Sequence, residues 1–61
     1  MTRKHFEALA AALRGTRPFP GDSPEAWDQW RATVRAVTDT CYQFNGQFNR
    51  DRFERAAGFD R

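Results

Sequence analysis

Few side chains in this chain could do chemistry on their own. His5 is the sole histidine and Cys41 the sole cysteine. An imidazole and a thiol can form a base and a nucleophile, but neither residue sits in a motif that would bring the two together. Cys41 falls on an apolar helical stripe and is expected to be a small buried hydrophobe. His5 is expected at the surface, in the first turn of a helix. Asp28, Asp39, Asp51 and Glu54 alternate with arginines. They read as solubilising charge, because a general acid and base pair needs carboxylates whose environment pushes their pKa values apart. Gly15, Gly21, Gly46 and Gly58 form no phosphate-cradling loop, and no metal-ligand spacing is present. The expectation is a protein that is not an enzyme and uses no cofactor or metal.

Binding chemistry has better candidates. Trp27 and Trp30 lie one helical turn apart, and two indoles offer more apolar area than two short helices can readily cover. Core packing is the first expectation for them; the competing one is that at least one indole faces a partner or a second copy of the chain. Val34 and Val37 continue the same stripe. Phe19, set between Pro18 and Pro20, is expected to drop into the core and tie its loop down, with an exposed partner anchor as the other reading. These five residues are the protein-interface candidates. Arg50, Arg52 and Arg55 are the nucleic-acid candidates, since a short helix after a tight turn could present three guanidiniums to a duplex. Asp51, Glu54 and Asp60 alternate with them, and a net charge of +2 gives such binding little electrostatic footing.

The elements that must position these residues read clearly. Thr2 can cap a first helix over about 3–14, with Phe6, Leu9, Ala10 and Leu13 on one face and Gly15 as its stop. Met1 and Phe6 could form a staple, whereas Arg3, Lys4 and His5 oppose the helix dipole unless something acidic meets them. "GTRPFPGDSP" holds three prolines and two glycines and must be a linker. Ser23 then caps a second helix over about 24–44, with Pro24 at its first position and Glu25 beside it. Trp27, Trp30, Val34, Val37, Cys41 and Phe44 follow at heptad-like spacing, an apolar seam expected to organise the other helices. Opposite it, Asp28 with Arg31 and Arg35 with Asp39 are expected to pair. Asn45 and Gly46 end this helix, with Gly46 free to take the left-handed conformation. A third helix over about 50–57 is capped by Asn49, stapled by Phe48 onto Phe53, and closed by Gly58 with Phe59 packing back on Phe53.

The fold class expected is therefore all-α, a single small three-helix domain over residues 1–61. Sixty-one residues suffice for one marginal core. A composition 39% hydrophobic and 15% aromatic excludes a disordered tail. One cysteine permits no internal disulfide and suits a reducing compartment. No apolar run reaches the ~20 residues of a membrane span, and the charged start does not resemble a signal peptide. A cytoplasmic location in a bacterial host is expected. Nine of the ten basic residues are Arg, a skew associated with GC-rich bacterial or phage genomes.

Two stretches also carry a resemblance. "TRKHFEALAAAL" and "FNGQFNRDRFERAAG" resemble a type of small uncharacterised protein encoded by bacteriophages, prophages and plasmids. That type opens with an R-K-x-F-like helix and closes on N-x-x-F-x-x-x-R-F-x-x-A-x-G, met here by Asn45, Phe48, Arg52, Phe53, Ala56 and Gly58. The likeness covers both ends, about half the chain, and not the middle. Gly46 stands where the family usually has Pro, and a Cys is often found near the position of Ala57. The resemblance implies a mobile-element origin and an accessory role through binding a host or defence protein; it transfers no functional residue. The leading expectation is thus a non-catalytic protein-interaction module that binds a protein partner or forms a homodimer through Trp27, Trp30, Val34 and Val37. The alternative is a small DNA-binding protein using Arg50, Arg52 and Arg55. A structural or assembly component is the third reading.

Overall fold

The computed structural model describes residues 2–59, so Met1 and its expected staple, and Asp60, lie outside the described residues. Three helices and no strand occur among them: α1 spans Arg3–Gly15, α2 Pro24–Phe44 and α3 Arg50–Ala56. The all-α architecture is as the periodicity predicts. α2 has 21 residues, about 31 Å at the helical rise, which accounts for most of the 35 Å long axis.

Local devices set the helix ends. The Ser23 hydroxyl accepts from the Ala26 amide at 3.2 Å, and Pro24 occupies the first turn, where its missing N–H costs nothing. Asn49 Oδ1 accepts from the Arg52 amide at 3.0 Å. Thr2 caps α1, its amide donating to His5 Nδ1 at 3.1 Å. α3 ends in a Schellman motif: the Phe59 amide donates to the Glu54 carbonyl and the Gly58 amide to the Arg55 carbonyl. Gly58 has φ +86° there, the one positive φ among the described residues. Gly46 therefore does not take the left-handed conformation expected of it. Asn45 turns the chain instead, in an extended conformation whose side chain accepts from the Gln47 amide at 3.1 Å while its carbonyl accepts from Phe48.

The apolar stripe of α2 lies inward along only part of its length. Trp30, Val34, Thr38 and Cys41 are buried, Trp27 and Val37 are half-buried, and Phe44 is 79% exposed. Helical geometry explains the departure from a heptad seam. At about 100° per residue, Thr38 lies about 40° from Val34 and Phe44 about 80°, so an unsupercoiled helix rotates Phe44 off the buried face. Thr38 takes the inward place and satisfies its hydroxyl on the Val34 carbonyl at 2.8 Å.

Nor does the α2 seam organise the other helices by itself. α1 and α2 each pack chiefly against the short α3 and only weakly against one another. Ala10, Trp30, Val34, Phe53, Ala57 and Phe59 make the buried cluster. Trp30 stacks on Phe59 at 6.2 Å between ring centroids and donates its indole N–H to the Leu13 carbonyl at 3.0 Å. That bond adds to those from the Thr16 amide and hydroxyl on the same carbonyl and joins the two longer helices. Phe59 thus meets Trp30, a contact that local spacing did not foresee. Phe48 closes the other end of the core, 4.7 Å from Phe6 and 5.2 Å from Phe53 between centroids. The expected staple forms and also reaches across to α1.

Phe19 does not enter the core; it is 66% exposed. A turn closed by the Asp22 amide on the Phe19 carbonyl at 2.9 Å folds the ring back towards Gly21. With Pro on both sides, the chain has little freedom to turn it inward. Arg17 ties the linker down instead, its guanidinium lying over Gly58.

Candidate interaction groove between α1 and α3

α3 has two flanks, and they differ in chemistry. The flank toward α2 is a cleft whose walls carry Arg31, Arg35 and Asp39 on one side and Arg50, Asp51 and Glu54 on the other. Three guanidiniums meet three carboxylates there. Arg50 pairs with Asp39 and lies over the Tyr42 ring at 5.5 Å. Arg55, on the adjoining outer surface, pairs with Asp51 at 2.7 Å. Arg35 does not pair with Asp39 as expected. Its guanidinium lies 5.4 Å over the Phe59 ring, because α3 delivers Arg50 to Asp39. The Asp28 and Arg31 pair does form, at 3.4 Å. Glu54 is buried and so is not solubilising charge; its helical position faces it inward beside Phe53.

The flank toward α1 is an open groove of about 340 Å³. Phe6 and Ala10 of α1 and Phe53 and Ala56 of α3 line it, and Phe48 spans between the helices at its end. Its rim carries Arg3, Glu7 and Arg52, with the amides of Asn45, Gln47 and Asn49 at the turn. Arg3 and Arg52 are exposed, and neither pairs with a carboxylate among the described residues. Arg3 and Glu7 share an i,i+4 spacing, but with the base N-terminal to the acid, the weaker order against the helix dipole. Phe44 immediately precedes the turn that supplies the groove's amides and stands out from it, 79% exposed.

The residues singled out from sequence scatter over this structure. Trp30, 5% exposed, and Val34, fully buried, are core residues, because α3 and the segment after it cover them. Trp27 and Val37 pack partly against the same core, and the Trp27 ring meets Trp30 edge-on at 5.9 Å. Of the stripe proposed as a dimer seam, Trp30 and Val34 are buried within the chain and Trp27 and Val37 are half-buried, and of the five interface candidates Phe19 alone is largely exposed. Of the nucleic-acid candidates, Arg50 and Arg55 have carboxylate partners, whereas Arg52 has none among the described residues. Sequence reasoning missed Arg3, Phe6 and Phe48 as neighbours of Arg52. The signal available was the pair of stapling phenylalanines, which had to close on something apolar. Exposed Tyr42 and Phe44 lie about 160° apart around α2 by helical geometry, so they do not form one patch.

Cys41 is buried, and burial pushes its thiol pKa up from the ordinary value. Among the described residues no group of three or more His, Cys, Asp or Glu is placed to hold a metal ion, and no helix is long and apolar enough to cross a membrane. Comparisons with protein-family models, with curated proteins and with solved structures find no match to this chain.

Proposed function

We propose that this chain is a non-catalytic protein-interaction module whose binding face is the groove between α1 and α3. The observation that carries the reading is an open groove lined by phenylalanine rings in a protein too small to spare them: Phe6, Phe48 and Phe53 border about 340 Å³ of accessible space. Phe6 and Phe48 meet at 4.7 Å between centroids and Phe53 is buried against Phe48, so the half-buried faces of Phe6 and Phe48 are what the groove offers a guest side chain. Phe44, exposed and next in sequence to the groove-lining Asn45, is an aromatic anchor of the kind that dominates interface energetics. The resemblance to small mobile-element proteins favours a host or defence protein as the partner and the bacterial cytoplasm as the place of action. Homodimerisation through the α2 stripe would have only the half-buried Trp27 and Val37 to use, since Trp30 and Val34 are inside the fold.

DNA binding by Arg50, Arg52 and Arg55 is the weaker alternative, because two of the three guanidiniums are already paired. The two readings separate in one experiment. The protein is used as bait on bacterial lysate beside Ala56→Trp, which fills the groove from its exposed edge, and Phe44→Ser. A protein held by the native chain and lost from both variants supports the interaction reading. A duplex retarded at low salt, with affinity falling steeply as salt rises, supports the alternative.

A further inference from the structure

We infer that the groove takes an acidic peptide segment presenting one large apolar side chain beside its carboxylates. This rests on the groove being the binding face and names the chemistry of the partner. Two independent features meet in the groove. Its walls are apolar rings, Phe6, Phe48 and Phe53, with room on the scale of a large side chain or two. Its rim carries two guanidiniums from different helices, Arg3 and Arg52, neither of which has a carboxylate partner among the described residues. Across α3 the same residue type is neutralised by Asp39 and Asp51. Among the described residues Glu7 is the single carboxylate on the groove's rim, so their lining keeps an excess of positive charge.

Carboxylate is the complement of this arrangement. Guanidinium and carboxylate match in a planar, two-bond geometry, and a pair shielded by an apolar guest is screened less than one in open water. Arg3 also lies in the first turn of a helix whose first turn has no acidic residue, so a bound carboxylate would complement the dipole at the same time. A basic segment would leave both guanidiniums opposed by like charge. A wholly apolar one would cover them without partners, at a desolvation cost.

The test pans a displayed library of random short peptides on the intact protein and on Arg3→Glu/Arg52→Glu, with Lys4→Glu as a charge control outside the groove lining. Circular dichroism melts confirm that each variant folds; a first-turn Glu in α1 is compatible with its dipole. The expected result is enrichment of peptides with one aromatic or large aliphatic residue next to two or more Asp or Glu. Their affinity should fall about tenfold or more in the double variant and change less than about threefold in Lys4→Glu. Neutral or basic winners that compete with groove filling by Ala56→Trp would overturn the acidic assignment and leave the interaction reading standing. Equal losses in Lys4→Glu and the double variant would show diffuse attraction and overturn the assignment too. No peptide sensitive to Ala56→Trp would overturn both.

Discussion

α3 is seven residues long and meets a different chemistry on each side. Toward α2 its Arg50 is matched by Asp39, its acids line the same cleft as Arg31 and Arg35, and Phe59 and Trp30 close the apolar layer beneath. Toward α1 it offers apolar walls and the Arg52 guanidinium, which has no carboxylate partner among the described residues. Both flanks are open, but each guanidinium of the first lies against a carboxylate or a ring, whereas Arg3 and Arg52 of the second have no carboxylate partner among the described residues. In a chain with ten basic and eight acidic side chains, placement of partners rather than total charge distinguishes the two flanks.

That contrast can be broken most forcefully from the α2 side. Trp30→Ala removes a buried ring, its stack on Phe59 and the bond to Leu13; a loss of about 3–5 kcal/mol is expected. A domain of this size has only a few kcal/mol to lose, so the urea transition should shift to the edge of folding. A fully cooperative, native-like transition would mean that the cluster around α3 does not hold the helices together. Gly58→Ala comes next, at about 1–2 kcal/mol, since its φ of +86° disfavours a Cβ, which would also meet Arg17 at 2.8 Å. The drop in melting temperature should be smaller in a chain already carrying Arg17→Ala.

How far these contacts could be foreseen from sequence depends on how far apart their partners lie along the chain. The Ser23 and Asn49 caps, the Phe48 and Phe53 staple and the Gly58 ending all join residues within six positions, and each is in place. What escaped joins distant segments: Phe59 with Trp30, Arg50 with Asp39, Phe48 with Phe6. Burial of Glu54 and exposure of Phe44 invert what their residue types suggest. They follow from which way α3 faces and from the drift of a straight helix against a heptad, neither of which spacing alone supplies. The groove inherits that blindness, because Arg3 and Arg52 come together only through the fold.

Smaller effects sharpen the comparison. Cys41 is a probe of the α2 core that touches neither flank's ion pairs. With its thiol pKa raised by burial, the folded state favours the protonated form. The stability linked to it is whole below the ordinary thiol range and is lost as pH rises through and above about pH 8.5. Urea midpoints in that alkaline range should decline less in Cys41→Ala than in the native chain. The native thiol should also react slowly with a disulfide reagent until urea unfolds the protein. Smallest of all, Arg50→Ala breaks an exposed pair and a ring contact and should cost ~0.2–1 kcal/mol, less as salt is added. Arg52→Ala should leave the urea midpoint within about 0.5 kcal/mol, since no carboxylate of the described residues pairs with it.

The most direct measurement is a backbone amide NMR titration of the native protein with an acidic peptide selected on it. The account predicts that shifts concentrate at Phe6, Ala10, Phe48, Arg52 and Ala56, leave Arg31, Arg35 and Phe59 in place, and largely vanish in Arg52→Glu. Shifts centred on Arg31, Arg35 and Phe59, or unchanged by Arg52→Glu, would contradict it.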